Sequence, residues 1–211
     1  MSMQFRLLLL TLVAGVVSIA PAHAQRRTVA VPFYSAENFA HALHHDFTSP
    51  RAQAFDTAAR TLESRVAAWC TSNAAPADPL LRDAARMAWQ DAMVAWTQLS
   101  AVMVGPVIAR KSARAIDFAP VRVALIERAI ATAPKGAAAM ELVGGPAKGF
   151  GTLEWLLWTK PASPGTPACT YAVEVAADIA REANALAQLM RVFDKFNHHK
   201  CTAKRHGPQE P

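Results

Sequence analysis

The densest group of side chains able to bind a metal is His41, His44 and His45, with Asp46 beside them. On a helix, positions i, i+3 and i+4 share a face, so these imidazoles form either one side of a metal site or a solvated helix end. A transition-metal site takes three or four protein ligands, and no further ligand stands at a fixed spacing here, which favours the solvated end. His198, His199 and Cys201 make a second Cys/His-rich tract, in composition only. Trp89, Met93, Trp96 and Met103 lie at helical spacing. They read as a core stripe, with a haem crevice as the sharper alternative. The C-x-x-C-H string that attaches haem covalently does not occur in the sequence.

Other chemistries have less support. Gly-x-Ser-x-Gly and His-Glu-x-x-His are absent from the sequence, and Ser100 and Ser112 have no flanking turn glycines. Gly144-Gly145-Pro146-Ala147-Lys148-Gly149 lacks the spacing of a phosphate loop and has no strand before it. The formal charge of +6 is concentrated toward the C-terminus, in Lys195, Lys200, Lys204 and Arg205. The body is therefore close to neutral, and nucleic-acid binding, which needs Lys and Arg gathered on one face, is set aside.

The elements that must position these residues are helical. With 52% hydrophobic residues and 18% charged ones, the 211-residue chain is too apolar for a disordered protein. Its Ala-rich composition favours helix. Ser35 is placed to cap a short helix through Asp46, and Thr48-Ser49-Pro50 to start a second. There Phe55, Ala59, Leu62, Val66 and Trp69 recur at threes and fours. Asp78 and Pro79 open a third, whose stripe is Leu81, Ala85, Ala88, Ala92, Ala95, Leu99 and Val102. Gly105-Pro106 stops it, and Val107 to Ala119 reads as extended or irregular. A helix from Pro120 to about Thr132 follows. The apolar segment Leu153-Glu154-Trp155-Leu156-Leu157-Trp158 sits between Gly149 and Lys160. The last helix is expected from about Thr170 to Phe193, with Ala172, Val175, Ile179, Leu186 and Met190 on one side. The fold class is all-α, an antiparallel bundle of about four main helices.

Arg6, the uncharged run Leu7 to Ile19 and the small-x-small site Ala22-His23-Ala24 read as a secretory signal peptide, cleaved before Gln25. The run is shorter than the roughly 20 residues of a spanning helix, and no other stretch approaches that length. Export to the periplasm is the expectation, with residues 25–194 as the bundle and 195–211 as a basic disordered tail. Cys70 ends one long helix and Cys169 precedes the last. In an antiparallel bundle both fall at one end, which predicts a Cys70–Cys169 disulfide in an oxidising compartment and leaves Cys201 free.

Two segments carry a resemblance. Trp89-Gln90-Asp91-Ala92-Met93-Val94-Ala95-Trp96, followed by Gly105-Pro106, resembles a paired-Trp helix ending in Gly-Pro. Gly149-Phe150-Gly151-Thr152-Leu153-Glu154-Trp155-Leu156-Leu157-Trp158 resembles a G-x-H-x-x-E signature followed by aromatic and Leu residues. Both are similar to segments of the imelysin family, exported helical proteins also classed as M75 peptidases and related to periplasmic iron-uptake components. Gly149 and Glu154 match the signature, and Gly151 stands where the family has His. Ile116-Asp117-Phe118-Ala119-Pro120 is a weaker echo. There the family has an aromatic before the proline and an acid after it, and this chain has Ala119 and Val121.

The resemblance spans roughly Asn38 to Arg191. It implies that the chain retains a first bundle and not the second that family members usually carry. It also implies a binding role near metal or iron handling, with a divalent metal or iron as the cofactor and a metal ion or periplasmic protein as the partner. The alternatives are an M75-type metallopeptidase and a non-catalytic structural or partner-binding bundle. The family's His and Glu, three residues apart on a helix, could hold a metal together. With Gly151 in place of His, Glu154 is either the remnant of a weak metal site or a partly buried acid paired with Arg114 or Arg122. A helical position 151 would make Gly151→His stabilising, since Gly costs about 1 kcal/mol relative to Ala inside a helix.

Overall fold

A computed structural model describes residues 35–72 and 78–205, with side chains through residue 192. The expected signal peptide and the side chains of His198, His199 and Cys201 lie outside the described residues. The described chain is helical. It runs through α1 (Ala36–Ala42), a π-helical segment (Leu43–Thr48), α2 (Ser49–Cys70), α3 (Pro79–Ser100), α4 (Pro106–Ala109), α5 (Ser112–Ile116), α6 (Val123–Thr132) and α7 (Gly136–Glu141). A 3-10 turn (Gly145–Ala147), α8 (Phe150–Glu154), a second π-helical segment (Trp155–Thr159) and α9 (Pro167–Arg205) complete it. None of the described helices is long and apolar enough to cross a membrane.

Three long helices form the frame. Helix α2 packs against both α3 and α9, and α8 with its π-helical continuation covers the remaining side between α3 and α9. The stripes read from the sequence face inward. Phe55, Leu62, Val66 and Trp69 of α2 are buried against Ala85, Ala92, Trp96 and Leu99 of α3 and Val175, Ile179, Leu186 and Met190 of α9. Alanines at 52, 59, 88, 176, 183 and 187 are buried as well. Small side chains at these contacts let the long helices approach closely while the aromatic and branched residues fill the spaces between them.

Several boundaries differ from the sequence reading. The expected break before Ser49 is absent, because Leu43, Thr48 and Ser49 all have right-handed helical backbone and α1 continues into α2. Pro50 would clash with the carbonyl four residues back in a regular helix. The π-helical turn widens the ladder at that point. Carbonyls along it also accept from side chains: His44 O accepts the Ser49 N–H and Thr48 Oγ1, the latter at 3.1 Å, and Phe47 O accepts from Arg51 Nη1 at 3.0 Å.

The stretch from Val107 to Ala119, expected to be irregular, holds α4 and α5, separated by Lys111 at φ 56°. Helices of one turn are too short to show a hydrophobic period. The helix expected from Pro120 starts at Val123, after a cis Ala119–Pro120 bond. The last helix begins at Pro167, because Thr166 Oγ1 accepts from the Cys169 N–H at 3.3 Å, the geometry of an N-cap with proline at the first helical position. Its backbone continues to Arg205, past the expected end at Phe193 and into residues expected to form the tail.

Cys70 and Cys169 are joined as a disulfide with their Cα atoms 5.4 Å apart. The bridge ties the C-terminus of α2 to the first turn of α9. With the cysteines 99 positions apart in sequence, closing this loop removes a large share of the unfolded chain's freedom, worth up to ~4.7 kcal/mol on the chain-entropy model. Replacing both cysteines by Ser should therefore lower the unfolding free energy by about 2–5 kcal/mol in a denaturant titration. Peptide mapping without reduction should recover the Cys70–Cys169 pair, and a bridge from Cys201 to either one would refute the assignment.

Candidate functional site

The signature helix α8 is seated by glycines. Gly149 has φ +81°, and a Cβ built on it would lie 2.3 Å from the Ile116 carbonyl oxygen. A Cβ on Gly145 would lie 2.8 Å from the Arg114 carbonyl oxygen. Backbone therefore packs on backbone where the 114–118 stretch meets the start of α8, and only Gly fits at 149. This role of the matching Gly149 is structural and needs no ligand.

The aromatic residues around α8 are also structural. The Trp89 indole N–H donates to Phe150 O at 3.1 Å, and its ring meets those of Phe150 and Trp158 edge-on. Arg86 donates from Nε and Nη2 to Leu157 O at 3.0 and 2.7 Å, satisfying a carbonyl of the second π-helical segment, and its guanidinium lies 5.3 Å from the centre of the Trp158 ring. Trp96 is buried against Phe55 and donates to Asp117 Oδ2 at 2.9 Å, while Met103 is 49% exposed. The Trp-Met stripe is thus core at Trp96 and surface at Met103, the bland reading rather than a haem crevice.

Position 151 is helical, and its surroundings explain the missing His. A Cβ on Gly151 would lie 2.8 Å from Val121 Cγ1. Val121 stands where the resembling family has an acid, so the two departures from the family pattern are neighbours in space, and one fills the room the other would need. Glu154, one turn beyond, is exposed and makes no ion pair with Arg114 or Arg122. That corrects the expectation of a partly buried, paired acid. Between them, Thr152 is fully buried and its Oγ1 has no partner, a cost of about 1–3 kcal/mol for an unmet hydroxyl. One exposed carboxylate, one hydroxyl and a valine methyl do not make a donor set for a transition metal. Among the described residues no three of His, Cys, Asp and Glu converge on a point that could hold a metal ion. The residues present do not fit the metal that the resemblance implies.

The N-terminal histidines point to different partners. His41 and His45 stack with ring centres 5.6 Å apart, and His45 Nδ1 lies 2.8 Å from Asp46 Oδ1. His44 turns inward, donating from Nε2 to Met190 O of α9 at 3.0 Å, with Thr48 Oγ1 3.3 Å from its Nδ1. The group serves helix contacts, and the three rings do not share one ligand position.

A polar cluster on α9 is not apparent from the sequence. Glu174, Asp178 and Glu182 lie one turn apart on one face of α9. Glu174 accepts from the Gly136 N–H at 2.9 Å. Asp178 pairs with Lys148 and Arg181, both at 3.1 Å. Glu182 accepts two hydrogen bonds from Arg110, at 2.9 and 2.7 Å, and one from the buried Ser112 hydroxyl at 2.7 Å. That contact with Glu182 raises the Arg110 pKa above its ordinary value, the hydrogen bond outweighing burial. Tyr171, on the same helix, donates to Ala147 O, and burial, reinforced by the charge of Asp178, pushes its phenol well up. The phenol therefore stays a donor. The i, i+4, i+8 spacing of acids was present in the sequence, but apart from Arg181 their cations, Lys148 and Arg110, stand 30 and 72 residues from Asp178 and Glu182, and nothing local points to them.

A comparison with curated proteins finds no match. The structure resembles the crystal structure of an imelysin-like protein from Psychrobacter arcticum 273-4, with a TM-score of 0.62 at 16% identity, covering 74% of this chain and 49% of that one. At that identity the likeness establishes the fold, and this chain spans about half the length of its structural relative. A family model, Imelysin (Peptidase M75), matches residues 48–205, most of the chain and all of α3 to α9. The chain belongs to the imelysin family.

Proposed function

We propose that this protein is an exported, non-catalytic binding component of the imelysin family, working in the periplasm near metal or iron handling through a partner rather than through a resident metal at Glu154. The observation that carries this reading is the contact at position 151. Where the family signature places a ligating His, this chain has Gly, and Val121 occupies the adjoining space. Losing a first ligand is seldom compensated, since even outer-shell losses cost about 10–100-fold in metal affinity. The disulfide and the N-terminal signal pattern support export, because structural disulfides persist in oxidising compartments. Membership of the family is what brings metal or iron into the proposal.

The metallopeptidase reading and the purely structural one are separated from it by the same set of measurements. N-terminal sequencing of periplasmic material should begin Gln-Arg-Arg-Thr, and full-length protein held in the cytoplasm would sink the export claim. Calorimetric titration of the mature protein with Zn²⁺ and with Fe²⁺ should show no saturable binding tighter than about 100 μM. Tight binding abolished by Glu154→Gln, or proteolysis stopped by a chelator, would put the peptidase reading first. Co-purification of a periplasmic metal-uptake protein from cells would support the partner role, and its absence from cross-linked periplasm would leave the structural bundle standing.

The stability of the 151 variant gives a second, independent test. The helix-propensity gain expected for Gly151→His, under ~1 kcal/mol, is opposed by overpacking against Val121, typically ~1–3 kcal/mol. Thermal melts should show Gly151→His less stable than the wild type, with Val121→Ala restoring the loss in the double variant. A Gly151→His protein that melts higher without help from position 121 would mean that the Val121 contact does not constrain the site.

A further inference from the structure

We propose that the cleft beside the acidic face of α9 binds a small zwitterion, a free amino acid or a dipeptide. The cleft has a volume of about 210 Å³ and lies between α4–α5, α7 and α9, where Arg110, Lys148, Arg181, Glu141, Asp178 and Glu182 meet. None of the Gly151–Glu154 residues lines it, and the inference holds whether or not the metal-handling reading does.

The charges in this cleft are balanced in number but not in place. Arg110 and Glu182 neutralise each other through a two-fold hydrogen-bonded pair. Asp178 is shared by two cations, Lys148 and Arg181, which leaves one positive charge in excess at that end. Among the described residues nothing pairs with the carboxylate of Glu141, which leaves one negative charge unmet on the same cleft. Donors are also in surplus. Lys148 Nζ uses two of its three N–H groups, on Asp178 and on Met140 O. Arg181 bonds Asp178 through Nη2, and Arg110 bonds Glu182 through Nε and Nη2, so each guanidinium keeps further N–H groups for a ligand.

A ligand complementary to this arrangement has an anionic oxygen group for the Lys148–Arg181 end and an ammonium for Glu141. A simple anion would satisfy one end and meet repulsion at the other, and a simple cation likewise. Arginine and lysine donors suit a carboxylate, and an unpaired carboxylate suits a primary ammonium. The volume sets the size. Clefts for drug-sized ligands run from about 300 to 1,000 Å³, so one of 210 Å³ suits a smaller molecule. Lys148 is only 11% exposed and Asp178 13%, so the positive end is held at the floor of the cleft while Glu141 stands at its rim.

The test is calorimetric titration of the mature, disulfide-bonded protein with L-glutamine and with L-alanyl-L-alanine, each to about 10 mM. N-acetyl-L-alanyl-L-alanine, which lacks the ammonium, and L-alanyl-L-alaninamide, which lacks the carboxylate, serve as controls. At least one zwitterion should bind saturably, glutamine identifying a free amino acid and the dipeptide a peptide, and the blocked forms should bind about tenfold more weakly. Glu141→Gln, at an exposed position, should weaken the zwitterion about tenfold and leave the N-acetyl compound unchanged, while Arg181→Gln should weaken both. No saturable heat from either zwitterion, equal binding of the blocked forms, or a Glu141→Gln protein that binds like the wild type would each overturn the proposal.

Discussion

Three carboxylates on one face of α9 organise the half of the molecule that periodicity does not. Glu174, Asp178 and Glu182 are spaced by one turn, close enough to repel one another if left bare. Each is met instead by a group from a different short element: the N-terminal N–H of α7, Lys148 ahead of α8, and Arg110 just after α4 with Ser112 at the start of α5. Between the end of α3 and the start of α8 the chain has short helices and turns, too short to bury a continuous apolar stripe. It is the acidic face of α9, together with Ile116, Ile126 and Met140 in the core beneath, that holds this excursion in place. Asp178 and Lys148 are both nearly buried, so removing Asp178 leaves the Lys148 ammonium without a carboxylate, a loss of about 3–5 kcal/mol, whereas removing Lys148 leaves Asp178 still paired with Arg181.

That anchoring extends to the signature helix. Lys148 immediately precedes Gly149, and its Nζ also bonds Met140 O at 3.1 Å, so the residue that fixes α7 to α9 also fixes the start of α8. Gly149 then passes against Ile116 O, which is itself placed by α5 and therefore by Ser112 and Glu182. The family's most recognisable segment is thus positioned by polar contacts on α9 and by backbone packing on the 114–118 stretch. Both are present in this chain although the His of the signature is not.

The long helices were legible because their apolar residues repeat over many turns. Phe55 to Trp69 and Ala85 to Leu99 face the core as their spacing requires, and Cys70 and Cys169 meet because antiparallel helices bring those ends together. The one-turn helices at Pro106 and Ser112 were not legible, since four or five residues cannot display a period. Nor was the continuity through Pro50, because a proline after Thr-Ser reads as a start, and only the π-helical widening lets it sit inside a longer rod. At the candidate site the sequence located Gly149, Gly151 and Glu154 on one short helix. It could not show that Glu154 faces solvent, nor that Val121 reaches position 151, because both depend on contacts between segments some thirty residues apart. The His41–His44–His45 spacing favours a helix end over a metal site, and it is His44 bonding to Met190 O, a contact 146 residues distant in sequence, that separates the rings.

The dependence of the molecule on the α9 face is measured most directly by a double-mutant cycle on Lys148 and Asp178. Lys148→Met, Asp178→Leu and the pair together would be unfolded in denaturant with the disulfide intact. If the pair anchors the excursion, Asp178→Leu costs about 3 kcal/mol, Lys148→Met costs less because Arg181 still pairs with Asp178, and the double variant costs about 2–3 kcal/mol less than the two single losses added together. Single losses below about 0.5 kcal/mol that simply add in the double variant would contradict it, and would show that apolar packing alone holds the segments between α3 and α8 in place.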